Sequence, residues 1–144
     1  MLYEIAILLV LFGCAFFDIK TKGKHIPVCL SLIMLILCFI RLIYPIPNYN
    51  DIVFNIIFAG LVFASSYSFM KAKLLGGSEV EILPMIAFLI PSEFMSFMAY
   101  SFLALAVNIL IIFFKTGKLD GKEITFYPSL VIGIISIILV KIWI

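Results

Sequence analysis

Three carboxylic acids in this chain stand where they could do chemistry: Asp18, Glu79 and Glu81. Asp18 follows Phe16-Phe17 at the end of an apolar run. Glu79 follows Leu74-Leu75-Gly76-Gly77-Ser78 and leads into Val80. Acids at the rim of an apolar environment are costly and tend to mark function. Two carboxyl groups held close together cannot both ionise freely, and they come to share one proton. Such a pair can activate water against an amide, one group acting as base and the other as acid. Gly76 and Gly77 suit that task, because adjacent glycines allow a tight turn and leave room for a substrate strand. Ser78 and Glu81 flank the same turn. The alternative is purely structural: Asp18, Glu79 and Glu81 as interfacial charges paired with Lys20, Lys71 or Lys73. Spacing alone does not separate the two.

The elements that would position these acids follow from the composition. Of 144 residues, 65% are hydrophobic and 12% charged, and the mean hydropathy is +1.30. A soluble domain carries about twice that share of charge. Apolar runs recur from end to end, and all but the fourth approach the roughly 20 residues that cross a bilayer. They lie at 2–17, 26–44, 52–70, 82–90, 94–114 and 127–144. In lipid such runs must be helices, because open strands cannot satisfy their own backbone groups. The expected fold is therefore all-α: one membrane-embedded domain over 1–144 with about six transmembrane helices. The first run lacks a basic leader and a small-residue cleavage site, so it reads as a retained helix. The fourth run is short, about 16 Å of helix for Val80 to Ile90.

The lysines set the orientation. Lys20, Lys22, Lys24, Lys71, Lys73, Lys115, Lys118 and Lys122 are eight of the ten Lys and Arg residues. If all six runs cross, they fall on one side, which the positive-inside rule makes the cytoplasm. Both termini are then outside, and Asp18, Glu79 and Glu81 lie at cytoplasmic helix ends. Glu4, Asp51 and Glu93 fall at outer ends and Asp120 and Glu123 in a lysine-rich hairpin, all read as solvated. Asn55 and Asn108 are expected to bond between helices, and Gly60, Ala64 and Ser68 to form a close-packing face. Cys14, Cys29 and Cys38 form no C-x-x-C, and His25 alone completes no zinc site with them, so they read as ordinary buried thiols.

With these motifs in view, the chain resembles the type IV prepilin and preflagellin (archaellin) peptidases. Phe17-Asp18-Ile19-Lys20, further basic residues and then Ile26-Pro27 look like the family's first signature. Gly76-Gly77-Ser78-Glu79-Val80-Glu81 falls where the second, G-x-G-D with a following hydrophobic residue and Lys, is expected. Phe126-Tyr127-Pro128-Ser129-Leu130 with Gly133 is similar to the aromatic-Pro-x-Leu stretch that enters the last helix. The resemblance covers nearly the whole chain in the right order. It implies a membrane-embedded aspartic endopeptidase of the cytoplasmic membrane that removes the short basic leader of pilin-like precursors. Asp18 and Glu79 would be its catalytic pair. Gly76, Gly77, Ser78 and Glu81 would line the substrate. No metal or organic cofactor is implied. The partners are a pilin-like precursor and membrane lipid, not nucleic acid, with a homodimer admissible. The cysteine-bearing loop of methylating members has no counterpart, so peptidase activity is expected without methylation.

The departures from the pattern fall at the second motif. Ser78 replaces a glycine, Glu79 an aspartate and Glu81 a lysine, the Asp18-to-Pro27 interval is longer, and Val28 follows the proline. Glu79 thus admits three readings: a working glutamate, a trapping substitution, or lost catalysis. Glu81 either hinders the pair or attracts the basic leader. The rival classes are an inactive relative serving as a membrane scaffold and a small transport subunit. Transport favours ionisable groups in mid-membrane and internal repeats. Here the acids are at the rim and no repeat is evident.

Overall fold

Backbone that runs through apolar sequence has to close its hydrogen bonds within each segment, and this chain does so. The computed structural model of the protein describes residues 1–21, 26–44, 52–72, 75–117 and 126–144. Among these residues there are six helices and no strand: α1 Leu2–Thr21, α2 Val28–Ile43, α3 Ile52–Lys71, α4 Gly77–Leu89, α5 Phe94–Thr116 and α6 Tyr127–Trp143. Helices α1, α3 and α5 are long and apolar enough to cross a membrane. Lys22, Lys24, His25, Asp51, Lys73, Leu74, Lys118, Asp120, Lys122 and Glu123 lie outside the described residues, as does the turn expected at 45–48.

Two boundaries differ from the sequence reading. The first helix does not stop at Asp18 but runs one turn further, to Thr21. Its last turn is closed by Thr21 Oγ1 donating to the Phe17 carbonyl at 2.7 Å, and Lys20 suits the negative end of the helix dipole. The fourth helix begins at Gly77 rather than at Val80 and has 13 residues. That is about 20 Å long, still short of a hydrocarbon core of about 30 Å.

The chain divides into two compact units. The first, Met1–Pro27 with Met95–Ile144, pairs α1 with α6. Ile7, Leu11 and Cys14 on α1 and Leu130, Ile134 and Ile137 on α6 are buried, at the three- and four-residue intervals of one helix face. The helices run antiparallel: Glu4 near the start of α1 bonds Lys141 near the end of α6, and Asp18 at the other end bonds Tyr127. Helix α5 meets α6 at Gly133. A Cβ there would collide with Ser101 Oγ and lie 2.9 Å from the Phe97 carbonyl oxygen.

In the second unit, Val28–Phe94, α4 packs against both α2 and α3. Val80, Ile82, Leu83, Ile86, Ala87 and Leu89 are buried, so this short helix takes its apolar cover from protein. Arg41 of α2 is buried with its guanidinium 5.8 Å from the centre of the Phe88 ring. Of the cysteines expected to be buried only Cys14 is; Cys29, at the start of α2, is exposed, and Cys38 is half-buried with its Sγ pointing to the Met85 carbonyl at 3.8 Å. Asn55 is buried, but the small-residue stripe is not a packing face here. Gly60, Ala64 and Ser68 are exposed, and a Cβ on Gly60 would meet nothing within 4 Å.

Candidate active site

Asp18 owes its surroundings to a missing cap on another helix. Helix α6 opens at Tyr127 after Phe126, which supplies no side-chain cap. The first amides of a helix have no partner within it. Here Pro128 has no N–H, and the Ser129 and Leu130 N–H groups both reach the Phe126 carbonyl, at 3.0 and 3.3 Å. The Tyr127 N–H remains, and the Asp18 carboxylate of α1 accepts it. A negative group at a helix N-terminus is favourably placed against the dipole. The side chain is deeply buried, with Asp18 only 4% exposed. Its second oxygen, Oδ2, is buried with no hydrogen-bond partner among the described residues. Lys20 is turned away, its ammonium over the Phe16 ring at 5.9 Å. The Asp18–Lys20 ion pair of the structural alternative is therefore not formed.

Glu79 sits at the N-terminus of its own helix. Gly76 is the N-cap, in extended conformation with φ −80° and ψ 167°, which makes Glu79 the third residue of α4. The side chain folds back over Gly76: a Cβ there would collide with Glu79 Oε2 and lie 3.2 Å from Cδ. Ser78 Oγ donates to Glu79 Oε2 at 3.3 Å, and Glu79 is buried at 8% exposure. The two glycines thus differ in kind. Gly76 leaves space that the carboxylate occupies, whereas a Cβ on Gly77 would meet nothing within 4 Å. Gly77 is exposed and open to an approaching chain. Glu81 is exposed, and two residues beyond Glu79 it lies about 200° further round the helix. Lys71 is drawn over the Tyr67 ring, 5.0 Å from its centre.

The structure therefore brings Gly76, Ser78 and Glu79 together and leaves Glu81 off that cluster. Asp18 belongs to the first unit and the Gly76–Glu81 group to the second. Of the other acids, Glu4 departs from its expected solvated state. It is buried at 3% exposure and ion-paired with Lys141 and with the Met1 ammonium, the latter at 2.5 Å. Pairing compensates what burial would otherwise cost. Glu93 is half-buried and accepts a 2.6 Å hydrogen bond from Ser92.

Sequence reasoning read Tyr127 only as part of the aromatic-Pro stretch that enters the last helix and gave its backbone N–H no part. The available signal was a helix start without Ser, Thr, Asp or Asn before it, which leaves donors for a distant acid to take. It also passed over Arg41 and Lys141, charges inside apolar runs that are affordable only with a partner. No family model, curated protein or solved structure matches the chain.

Proposed function

We infer that the protein is an aspartic-type endopeptidase of the cytoplasmic membrane, cutting the basic leader from pilin-like precursors at the cytoplasmic face. The observation that carries this reading is the Asp18 carboxylate. It is buried and anchored through one oxygen, Lys20 is turned away from it, and its second oxygen has no hydrogen-bond partner among the described residues. A carboxylate used only as a surface charge has no reason to leave an oxygen in that state. The resemblance of the Asp18, Gly76–Glu81 and Phe126–Leu130 stretches to prepilin peptidases adds to it.

In this reading all six helices cross, and the lysine-rich connections face the cytoplasm. Asp18 and Glu79 then both belong to the cytoplasmic rim at headgroup depth, where a precursor presents the junction between its basic leader and its apolar helix. One carboxylate takes a proton from water, and the water oxygen bonds to the scissile carbonyl carbon. The other, protonated, gives its proton to the departing amide nitrogen as the C–N bond breaks. Gly77 is the open edge along which the substrate backbone lies.

A second reading has a specific observation behind it. The Asp18 carboxylate meets the N-terminus of α6 and Glu79 lies in the first turn of α4, positions where a carboxylate stabilises the fold without doing chemistry. The chain would then be a membrane scaffold. Cleavage of a pilin-like precursor in liposomes separates the two. Asparagine at position 18 can still accept the Tyr127 N–H but cannot exchange a proton. The peptidase reading expects Asp18→Asn and Glu79→Gln to abolish cleavage while thermal stability holds. The scaffold reading is upheld if no version of the chain, Glu79→Asp included, cuts any of a panel of precursors.

A further inference from the structure

The geometry points to the backbone N–H of Tyr127 as a positioning group that fixes the Asp18 carboxylate through one oxygen and so selects Oδ2 as the oxygen that exchanges the proton. This deepens the peptidase reading and rests on it. Helix α6 begins without a side-chain cap, and its remaining early amides are accounted for by Pro128 and the Phe126 carbonyl. The Tyr127 N–H at the helix start donates to the Asp18 carboxylate. Tyr127 is fully buried at 0% exposure and Asp18 nearly so at 4%, so water does not compete freely for the bond. The α1–α6 pairing holds the two ends in place, with the Glu4–Lys141 contact closing the far end of the same pair. A carboxylate on a single-bonded side chain can otherwise turn about its last bond and present either oxygen. One fixed hydrogen bond from a rigid helix start removes that freedom, which is the preorganisation that catalysis by positioned groups requires.

Two measurements test this, one of them independent of activity. Hydrogen exchange at the Tyr127 amide, followed by NMR in detergent micelles, is expected to be slow in the wild-type chain. It should become at least about tenfold faster in Asp18→Ala, remain slow in Asp18→Asn, and leave the Ile134 amide unchanged as a sign that α6 is intact. In the second measurement, p-hydroxyphenyllactic acid replaces Tyr127, exchanging its N–H for an ester oxygen while keeping the side chain. This should lower kcat for precursor cleavage about tenfold to a hundredfold with KM nearly unchanged. Equal exchange at Tyr127 in the wild-type chain and in Asp18→Ala overturns the proposal, as does an ester variant of undiminished kcat. A chain that cuts no precursor yet shows the exchange pattern keeps the clamp and loses the peptidase reading.

Discussion

At the scale of single residues, burial and helix capping ask the same carboxylates to do two things, and substitutions can pull the roles apart. Asp18→Ala removes both the acid and the acceptor for Tyr127 and is expected to cost about 1 kcal/mol of stability, the usual worth of an N-terminal cap. Asp18→Asn should cost only a few tenths, because the acceptor stays. Thermal unfolding in detergent distinguishes the two. Gly76 offers a sharper probe. Its Cβ position is taken up by the Glu79 carboxylate, so Gly76→Ala must push that group aside. A displacement of about 1 Å is worth roughly a hundredfold in rate. Cleavage should fall accordingly, whereas Gly77→Ala, with open space at its Cβ, should change it less than about threefold. Equal losses at the two glycines would mean that the backbone, not the carboxylate, is what responds.

Elements respond to different substitutions. Helices α5 and α6 approach closely because Gly133 has no side chain at the point where Ser101 bonds the Phe97 carbonyl, at 2.7 Å. Gly133→Ala meets backbone as well as a hydroxyl, and is expected to destabilise the first unit by about 1–3 kcal/mol through overpacking. Adding Ser101→Ala should return only part of that loss, since the Phe97 oxygen stays in place. At the far end of α1 and α6, Lys141→Ala leaves the buried Glu4 carboxylate with the Met1 ammonium alone. A cost of about 1–2 kcal/mol is expected, the range for a buried acceptor that loses a partner. The double change Glu4→Leu with Lys141→Met should cost less than Lys141→Ala alone, because no charge is then left uncompensated. Denaturant titration of the three variants in one detergent measures both effects.

For the whole molecule the open quantity is topology. Helices α1, α3 and α5 have the length and apolarity to cross a membrane, while α2 and α6 have 16 and 17 residues and α4 is shorter still. Six crossings put Lys20, Lys71 and Lys115 on one side. Single cysteines at these positions, in a chain with Cys14, Cys29 and Cys38 replaced, are therefore expected to react with a membrane-impermeant thiol reagent only from the cytoplasmic side. A cysteine at Lys115 that labels from outside would mean that α4 does not cross. Asp18 and Glu79 would keep their side, but the start of α6 would fall on the opposite side from Asp18, against the Asp18–Tyr127 bond.

Much of this protein is decided by its composition. A chain with 65% hydrophobic and 12% charged residues has to fold as apolar helices, and Pro, Gly and charged residues between the runs bring the helix starts and ends to within a few residues of where they are found. The candidate acids were legible too, because a carboxylate at the rim of an apolar run stands out in any sequence. Their local states were not. That α1 continues past Asp18 depends on one hydroxyl bond and a dipole, terms too small to read against hydropathy. That Glu79 folds back over Gly76 depends on a missing Cβ three residues away. Glu4 looks like a solvated acid until a lysine 137 residues later is brought beside it, and the Gly60 stripe looks like a packing face until no helix of its unit is found against it. The Tyr127 amide carries no side-chain signature at all. Only the antiparallel pairing of α1 with α6 gives it an acceptor, because a backbone donor is the same in every residue and its partner is chosen by tertiary structure alone.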